Sequence, residues 1–222
     1  MHTIQAAVHG RFLVDAAAPG APLLVGFHGY AERAEPMLDV LRAVRGERQW
    51  TLVSVQALHP FYTRAGEVVA NWMTREDREL AIADNIAYVA RVVEAVRAAH
   101  PCGDTVVYAG FSQGVAMAYR AAAFGHEHAA IPPASGGIML AGDVPPDVIP
   151  AAARLPPLLI GRGLADTWYT EAKAAADLEV LRPAPRAPRV HVFDAGHQWA
   201  DSFVAAAAVF LDDIRSGGRP QG

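Results

Sequence analysis

A chain of 222 residues is long enough to bury a full sheet within one domain. Its formal net charge of −4, with no basic run, gives no electrostatic footprint for nucleic acid. One cysteine, Cys102, excludes an internal disulfide, and no apolar stretch reaches membrane-spanning length. Residues 1–10 lack a basic segment followed by an apolar run, so no signal peptide is expected and a cytoplasmic location is.

Residues 3–15 alternate weakly and turn at His9-Gly10, which predicts an antiparallel hairpin at a sheet edge. Residues 23–27 form a continuous apolar run ending at His28-Gly29-Tyr30, the pattern of a central buried strand. Met37, Leu41 and Val44, with Pro36 near the start, predict a helix over 36–44. Residues 51–55 read as the next strand. No clear period follows over 56–76, and a connection of that length is usually functional or a lid.

The clearest helical spacing is Ile82, Ile86, Val89, Val93 and Val96, with Thr74-x-x-Asp77 as its start box and Pro101 and Gly103 as its stop. Residues 105–111 predict a strand and 115–123 a tightly packed, Ala-rich helix. Residues 124–135 read as a connection, in which His126 and His128 lie in an exposed loop; with no third ligand nearby they do not suggest a metal. Strands are predicted over 137–141, 158–160 and 189–193. A helix is predicted over 170–181, and a last one on the face Phe203, Ala207, Phe210 and Ile214. Residues 1–215 are expected to form a single domain and 216–222 a flexible tail. Strand-helix alternation implies a mostly parallel sheet with helices on both faces. Sites in such sheets gather at the carboxyl ends of strands.

Gly110-Phe111-Ser112-Gln113-Gly114 stands between a predicted strand and a predicted helix. That is the context of a nucleophile elbow, a turn so sharp that flanking side chains would collide. With 19 Gly and only five Ser in the chain, the pattern is rare by chance. Glycine is needed at 110 and 114, and Ser112 is expected in a strained conformation with its hydroxyl directed out of the sheet.

A serine hydroxyl becomes a nucleophile when a base takes its proton and a third group holds the base. His197 follows the last strand in Ala195-Gly196-His197 and is the best base, whereas His28 suits a structural role. Asp166 is the preferred orienting acid, with Asp143 and Asp194 as rivals. Ser112, Asp166, His197 is also the nucleophile-acid-base order of this chemistry. Two donors must meet the oxyanion: the backbone N–H of Gln113 at the helix start, and that of Tyr30.

Phe27-His28-Gly29-Tyr30, Gly110-Phe111-Ser112-Gln113-Gly114, Gly-Asp-Val-Pro at 142–145, Gly161-x-Gly-x-x-Asp166 and Ala195-Gly196-His197 come in the order found in one family. With these motifs the chain resembles the phospholipase/carboxylesterase family of α/β-hydrolases, which includes the acyl-protein thioesterases. The resemblance implies an α/β-hydrolase fold, a triad of Ser112, Asp166 and His197, and an oxyanion hole from Tyr30 and Gln113. Val115 departs from it, standing where many relatives have another Gly. Only about sixteen residues separate the strands at 137–141 and 158–160, so no large cap domain is expected.

The expected activity is a cofactor-free serine carboxylesterase with no metal. Its substrates would be small-molecule esters of short-to-medium acyl chains, and lysophospholipids or acyl thioesters fall within the implied range. The candidates for the acyl or alcohol pocket are Tyr62, Trp72, Met73, Trp168 and Trp199, with residues 58–76 as its wall. Arg75 reads as a solvated or salt-bridged residue before it reads as an anion contact. The alternatives are a non-catalytic hydrolase-fold binding protein and an acyltransferase using an acceptor other than water. Monomer and homodimer are both compatible with the sequence.

Overall fold

The computed structural model describes residues 2–217. Nine strands form in chain order: β1 (Arg11–Asp15), β2 (Leu23–Phe27), β3 (Thr51–Gln56), β4 (His59–Tyr62), β5 (Val68–Asn71), β6 (Val106–Phe111), β7 (Gly136–Leu140), β8 (Leu158–Gly163) and β9 (Arg189–Phe193). Five α-helices accompany them: α1 (Ala34–Arg45), α2 (Arg78–Ala99), α3 (Gln113–His128), α4 (Glu171–Val180) and α5 (Asp201–Arg215). Seven strands make one sheet in the order β1-β3-β2-β6-β7-β8-β9. All neighbouring pairs in it are parallel except β1 with β3.

The continuous apolar runs are the central strands. Every residue of β2, β6, β7 and β8 is buried, as strands covered on both faces require. Helices α1 and α5 pack together on one face of the sheet, and α2 and α3 on the other. The periodic positions explain these contacts: Met37, Leu41 and Val44 of α1 and Phe203, Ala207 and Phe210 of α5 are all buried. Each large side chain so buried contributes about 1.5–3 kcal/mol. No helix among the described residues is long and apolar enough to cross a membrane.

Several expectations need correction. The N-terminal hairpin is absent: residues 2–10 carry no strand and lie exposed, so their weak alternation has no face to bury. The antiparallel edge strand does form as β1, but its partner is β3. The long connection 56–76 contains a two-stranded hairpin, β4 with β5, tied to the preceding loop by a bridge between Glu32 and Ala70. Thr74-x-x-Asp77 makes no capping box; Asp77 is in the left-handed region, with φ 46°, and its side chain caps nothing.

Helix α3 continues to His128, so the supposed connection begins one turn later, and His126 and His128 are exposed at the helix end rather than in a loop. Strand β8 runs on through Gly161-Arg162-Gly163, three residues beyond the predicted end at 160. Of the supposed tail, residues 218–222 lie outside the described residues.

The sheet order places β2 beside β6 with Phe27 opposite Gly110. Their carboxyl ends therefore carry the 28–30 loop and the turn at Ser112 side by side. Helix α3 leaves that turn so close to β2 that a Cβ at Gly114 would lie 2.2 Å from the Phe27 carbonyl oxygen and 2.6 Å from that of His28. A Cβ at Gly110 would lie 2.5 Å from the Gly114 oxygen. These obstacles are backbone atoms and cannot swing aside. Gly114→Ala should lower stability by about 3 kcal/mol or more. Gly66→Ala, at φ +82° but with open space around it, should cost only about 1–2 kcal/mol. Chemical denaturation of both variants checks the ranking.

Candidate active site

Ser112 sits between β6 and α3 with φ 52° and ψ −118°, a left-handed conformation that L-residues rarely adopt. Such strain costs about 1–3 kcal/mol and persists where the surroundings over-determine it. Here the Gly110 and Gly114 contacts supply that constraint, together with a bond from the Ser112 N–H to the Leu140 oxygen of β7 at 2.9 Å.

His197 Nε2 lies 2.8 Å from Ser112 Oγ, and His197 Nδ1 lies 2.8 Å from Asp166 Oδ2. The other carboxylate oxygen, Oδ1, accepts from the backbone N–H groups of Trp168 at 2.8 Å and Tyr169 at 2.9 Å. The Asp166 side chain is fully buried, so these three donors replace water around it. His197 is 23 % exposed, open on the side facing Ser112 and the cavity described below. Its ring packs against Phe111 at 5.1 Å, and Trp199 stands behind Phe111 at 6.3 Å and against Phe203 at 5.6 Å.

The Gly161-x-Gly163 pair explains how Asp166 meets His197. A Cβ at Gly163 would lie 2.3 Å from the Gly196 oxygen, and one at Gly161 would lie 2.3 Å from the Phe203 ring. Bare backbone there lets the 194–197 loop lie directly on the end of β8. Bonds from the Leu164 N–H to the Phe193 oxygen and from the Ala165 N–H to the Ala195 oxygen zip the two loops together. The rival acids are elsewhere: Asp143 faces Lys173 at 3.3 Å, and Asp194 is exposed.

His28 is structural, as its place beside Gly29 suggests. Its Nε2 accepts from the Ala57 N–H at 3.1 Å, so Nδ1 carries the proton and donates to the Gly29 oxygen at 2.7 Å. Burial pushes its pKa below the usual imidazole value, which keeps it neutral.

Three other supports left no sequence signal. Gln113 uses its side chain as a clamp: Oε1 accepts from the Trp72 N–H at 3.0 Å and Nε2 donates to the Met73 oxygen at 3.1 Å. Asn85 Nδ2 donates to the Trp72 oxygen at 2.8 Å. Glu32 Oε2 accepts from the buried Gly29 N–H at 2.7 Å. Burial raises the Glu32 pKa, and the Gly29 bond and the nearby His197 pull against it.

A cavity of about 570 Å³ opens beside Ser112 and His197. Met73 and Trp168, two of the five aromatic or apolar candidates, line it. The other three do not. Trp72 is 0 % exposed and spends its Nε1–H on the His28 oxygen at 2.8 Å, so it belongs to the core. Tyr62 is 75 % exposed on β4, outside the cavity, and Trp199 is committed to Phe111 and Phe203. Of the 56–76 segment, only Met73, Thr74 and Arg75 reach the wall. Between β7 and β8 there is one short 3-10 turn, Ile149–Arg154, and residues 143–146 form part of the rim. Among the described residues no group of three His, Cys, Asp or Glu could hold a metal ion.

The Glu32 arrangement makes a signed prediction. A carboxyl whose folded pKa is raised adds stability that is complete below its unfolded pKa and is lost as pH rises through the folded value. Glu32→Gln keeps an acceptor for Gly29 but removes that charge, so its Tm relative to wild type should be higher at pH 8 than at pH 4. Glu32→Ala strands the Gly29 N–H and should cost about 1–3 kcal/mol at both pH values. Thermal melts across the range check both signs.

No protein-family model matches the sequence, and no curated protein matches it either. Solved structures do match in three dimensions. A Bacillus cereus carboxylesterase superposes with a TM-score of 0.72 at 16% identity, over 92% of this chain and 94% of its own. Zea mays acyl-protein thioesterase 2 gives 0.69 at 18% identity, over 93% of this chain and 99% of its own. Esterase PE8 gives 0.68 at 22% identity, over 92% and 98%. With its mostly parallel sheet and flanking helices, the chain has the α/β-hydrolase fold.

Proposed function

We propose that this protein is a serine esterase of the phospholipase/carboxylesterase type, hydrolysing carboxylic esters through an acyl-enzyme. The observation that carries the reading is the unbroken hydrogen-bonded line from Ser112 Oγ through both nitrogens of His197 to the buried Asp166. With Nδ1–H donated to Asp166, Nε2 is left as the acceptor that can take the serine proton. Ser112 Oγ then attacks the ester carbonyl, and His197 passes the proton to the departing alcohol. Water, deprotonated by the same Nε2, releases the acid and restores Ser112.

The tetrahedral oxyanion is assigned to the backbone N–H groups of Gln113 and Tyr30. Gln113 opens α3, where the first N–H groups have no intrahelical partner and the dipole favours negative charge. Tyr30 follows Gly29 at the end of β2, and its N–H meets no protein acceptor among the described residues. Each such donor is worth about 10²–10³ in rate. The similar solved structures, an esterase, a thioesterase and a carboxylesterase, support the same chemistry. Among the described residues only the short 3-10 turn Ile149–Arg154 lies between β7 and β8, and an open cavity of this kind suits short-to-medium acyl esters.

Ser112→Ala should fold normally and lose hydrolysis of p-nitrophenyl acetate by at least about 10³-fold. A fluorophosphonate probe should add one mass, at Ser112, in the wild type and none in the variant. Residual activity above about a tenth of wild type would remove Ser112 from the mechanism. Ligand binding with neither turnover nor labelling would point to a binding protein instead.

A further inference from the structure

Four cationic side chains line the cavity beside Ser112, namely Arg75, Arg78, Arg120 and Lys173, against one anionic lining residue, Asp143. This excess stands in a chain of net charge −4. Lys173 is matched by Asp143. Arg75 and Arg78 are exposed and make no ion pair among the described residues. Their acidic neighbours Glu76 and Asp77 line a different depression, on the side of His59 and Asp84.

Arg120 is the informative member. It is 0 % exposed, and Asp147 holds it through Nε and Nη2 at 2.8 Å each. Its Nη1 meets only Met73 Sδ, at 4.0 Å. Thioether sulfur is a weak acceptor. A fully buried guanidinium therefore keeps a donor with no oxygen partner at the lining of the cavity.

Ser112, just before α3, and Ala116 and Arg120 within it follow one another at intervals of four and all line the cavity. Eight residues of helix rise about 12 Å. Long helical side chains lean toward the N-terminus, which carries the guanidinium back toward the serine. The Met73 contact agrees, since the Met73 oxygen is itself bonded by Gln113 Nε2 in the first turn of α3.

We propose that this cavity selects esters bearing a second, anionic group, a carboxylate or phosphate several bonds from the scissile carbonyl, met by Arg120 at its base and by Arg75 and Arg78 at its rim. The proposal rests on Ser112 being the esterase nucleophile. The anionic group could belong to the acyl or to the alcohol part of the ester, and paired substrates tell these apart.

The test compares kcat/KM for the p-nitrophenyl hemiester of adipate with that for p-nitrophenyl hexanoate, and 4-acetoxybenzoate with its methyl ester. In at least one pair the anionic ester should be favoured by about tenfold or more. The pair that shows the preference names the side that carries the charge. The ratio should collapse in the double variant Arg75→Gln/Arg78→Gln and persist in Arg91→Gln, which removes a distant exposed charge on α2. Calorimetry on Ser112→Ala supplies a readout free of turnover: monomethyl adipate should bind about tenfold tighter than dimethyl adipate. Equal rates within both pairs together with equal binding would overturn the proposal. Tighter binding of the anion with no ester turned over would keep the anion site and sink the esterase reading instead.

Discussion

Backbone pressed on backbone, where the first turn of α3 crosses the end of β2, is the constraint from which the site follows. Gly114 leaves no room for a side chain against the oxygens of Phe27 and His28. Because β2 and β6 are neighbours in register, a chain leaving β6 can enter α3 only by reversing within one residue. Ser112 is that residue, and its positive φ is the geometric remainder of the reversal. A hydroxyl held this way needs no side-chain contact to aim it. The same approach sets the 28–30 loop beside the start of α3, an arrangement on which the proposed oxyanion pair of Tyr30 and Gln113 depends.

Around this crossing lies a set of buried polar side chains whose bonds run mostly to backbone. His28 ties Gly29 to Ala57, Trp72 reaches the His28 oxygen, Asn85 holds the Trp72 oxygen, and Gln113 grips Trp72 and Met73. Apolar replacements would fill the same space. They would also leave backbone donors and acceptors of three irregular segments unpaired, at about 1–3 kcal/mol each. The network therefore fixes the loops, which neither helix nor sheet could do. Loops held in this way keep the proposed oxyanion donors in place, so that they need not reorganise as charge develops.

The strands and the main helices were legible because their residues are apolar at the right period, and β2 and β6 obey that rule without exception. The meeting of Ser112, Asp166 and His197 was legible because each stands just after a strand in a glycine-marked turn. What failed was read from weak alternation or from side-chain type alone. Residues 3–9 alternate but bury nothing, and Trp72 looked like a pocket aromatic although its ring lies within the core, 5.5 Å from Phe27. The side-chain roles of Gln113, Asn85 and Glu32 gave no signal: the first two bond backbone groups distant in sequence, and Glu32 bonds Gly29 in a loop with no period to read. The close approach of the 194–197 loop to β8 is signalled by Gly161 and Gly163, although the predicted strand ends short of both.

Net charge was a poor guide to the cavity, and the reason is distance. At physiological salt, charges farther apart than about 8 Å are largely screened. A group entering the cavity therefore responds to the residues at its lining far more than to the sum over the chain. Arg120 sharpens the point. Burial pushes the carboxyl of Asp147 up, but its paired bonds to Arg120 outweigh that and hold its pKa below the ordinary range. The pair is thus ionised through neutral pH, and desolvating its fully buried guanidinium offsets much of its attraction to the partly exposed Asp147 carboxylate. Stability alone gives little reason for a guanidinium on this face of α3, two turns from Ser112. Anion recognition does, because the donor left over by Asp147 is then the one that the ligand uses.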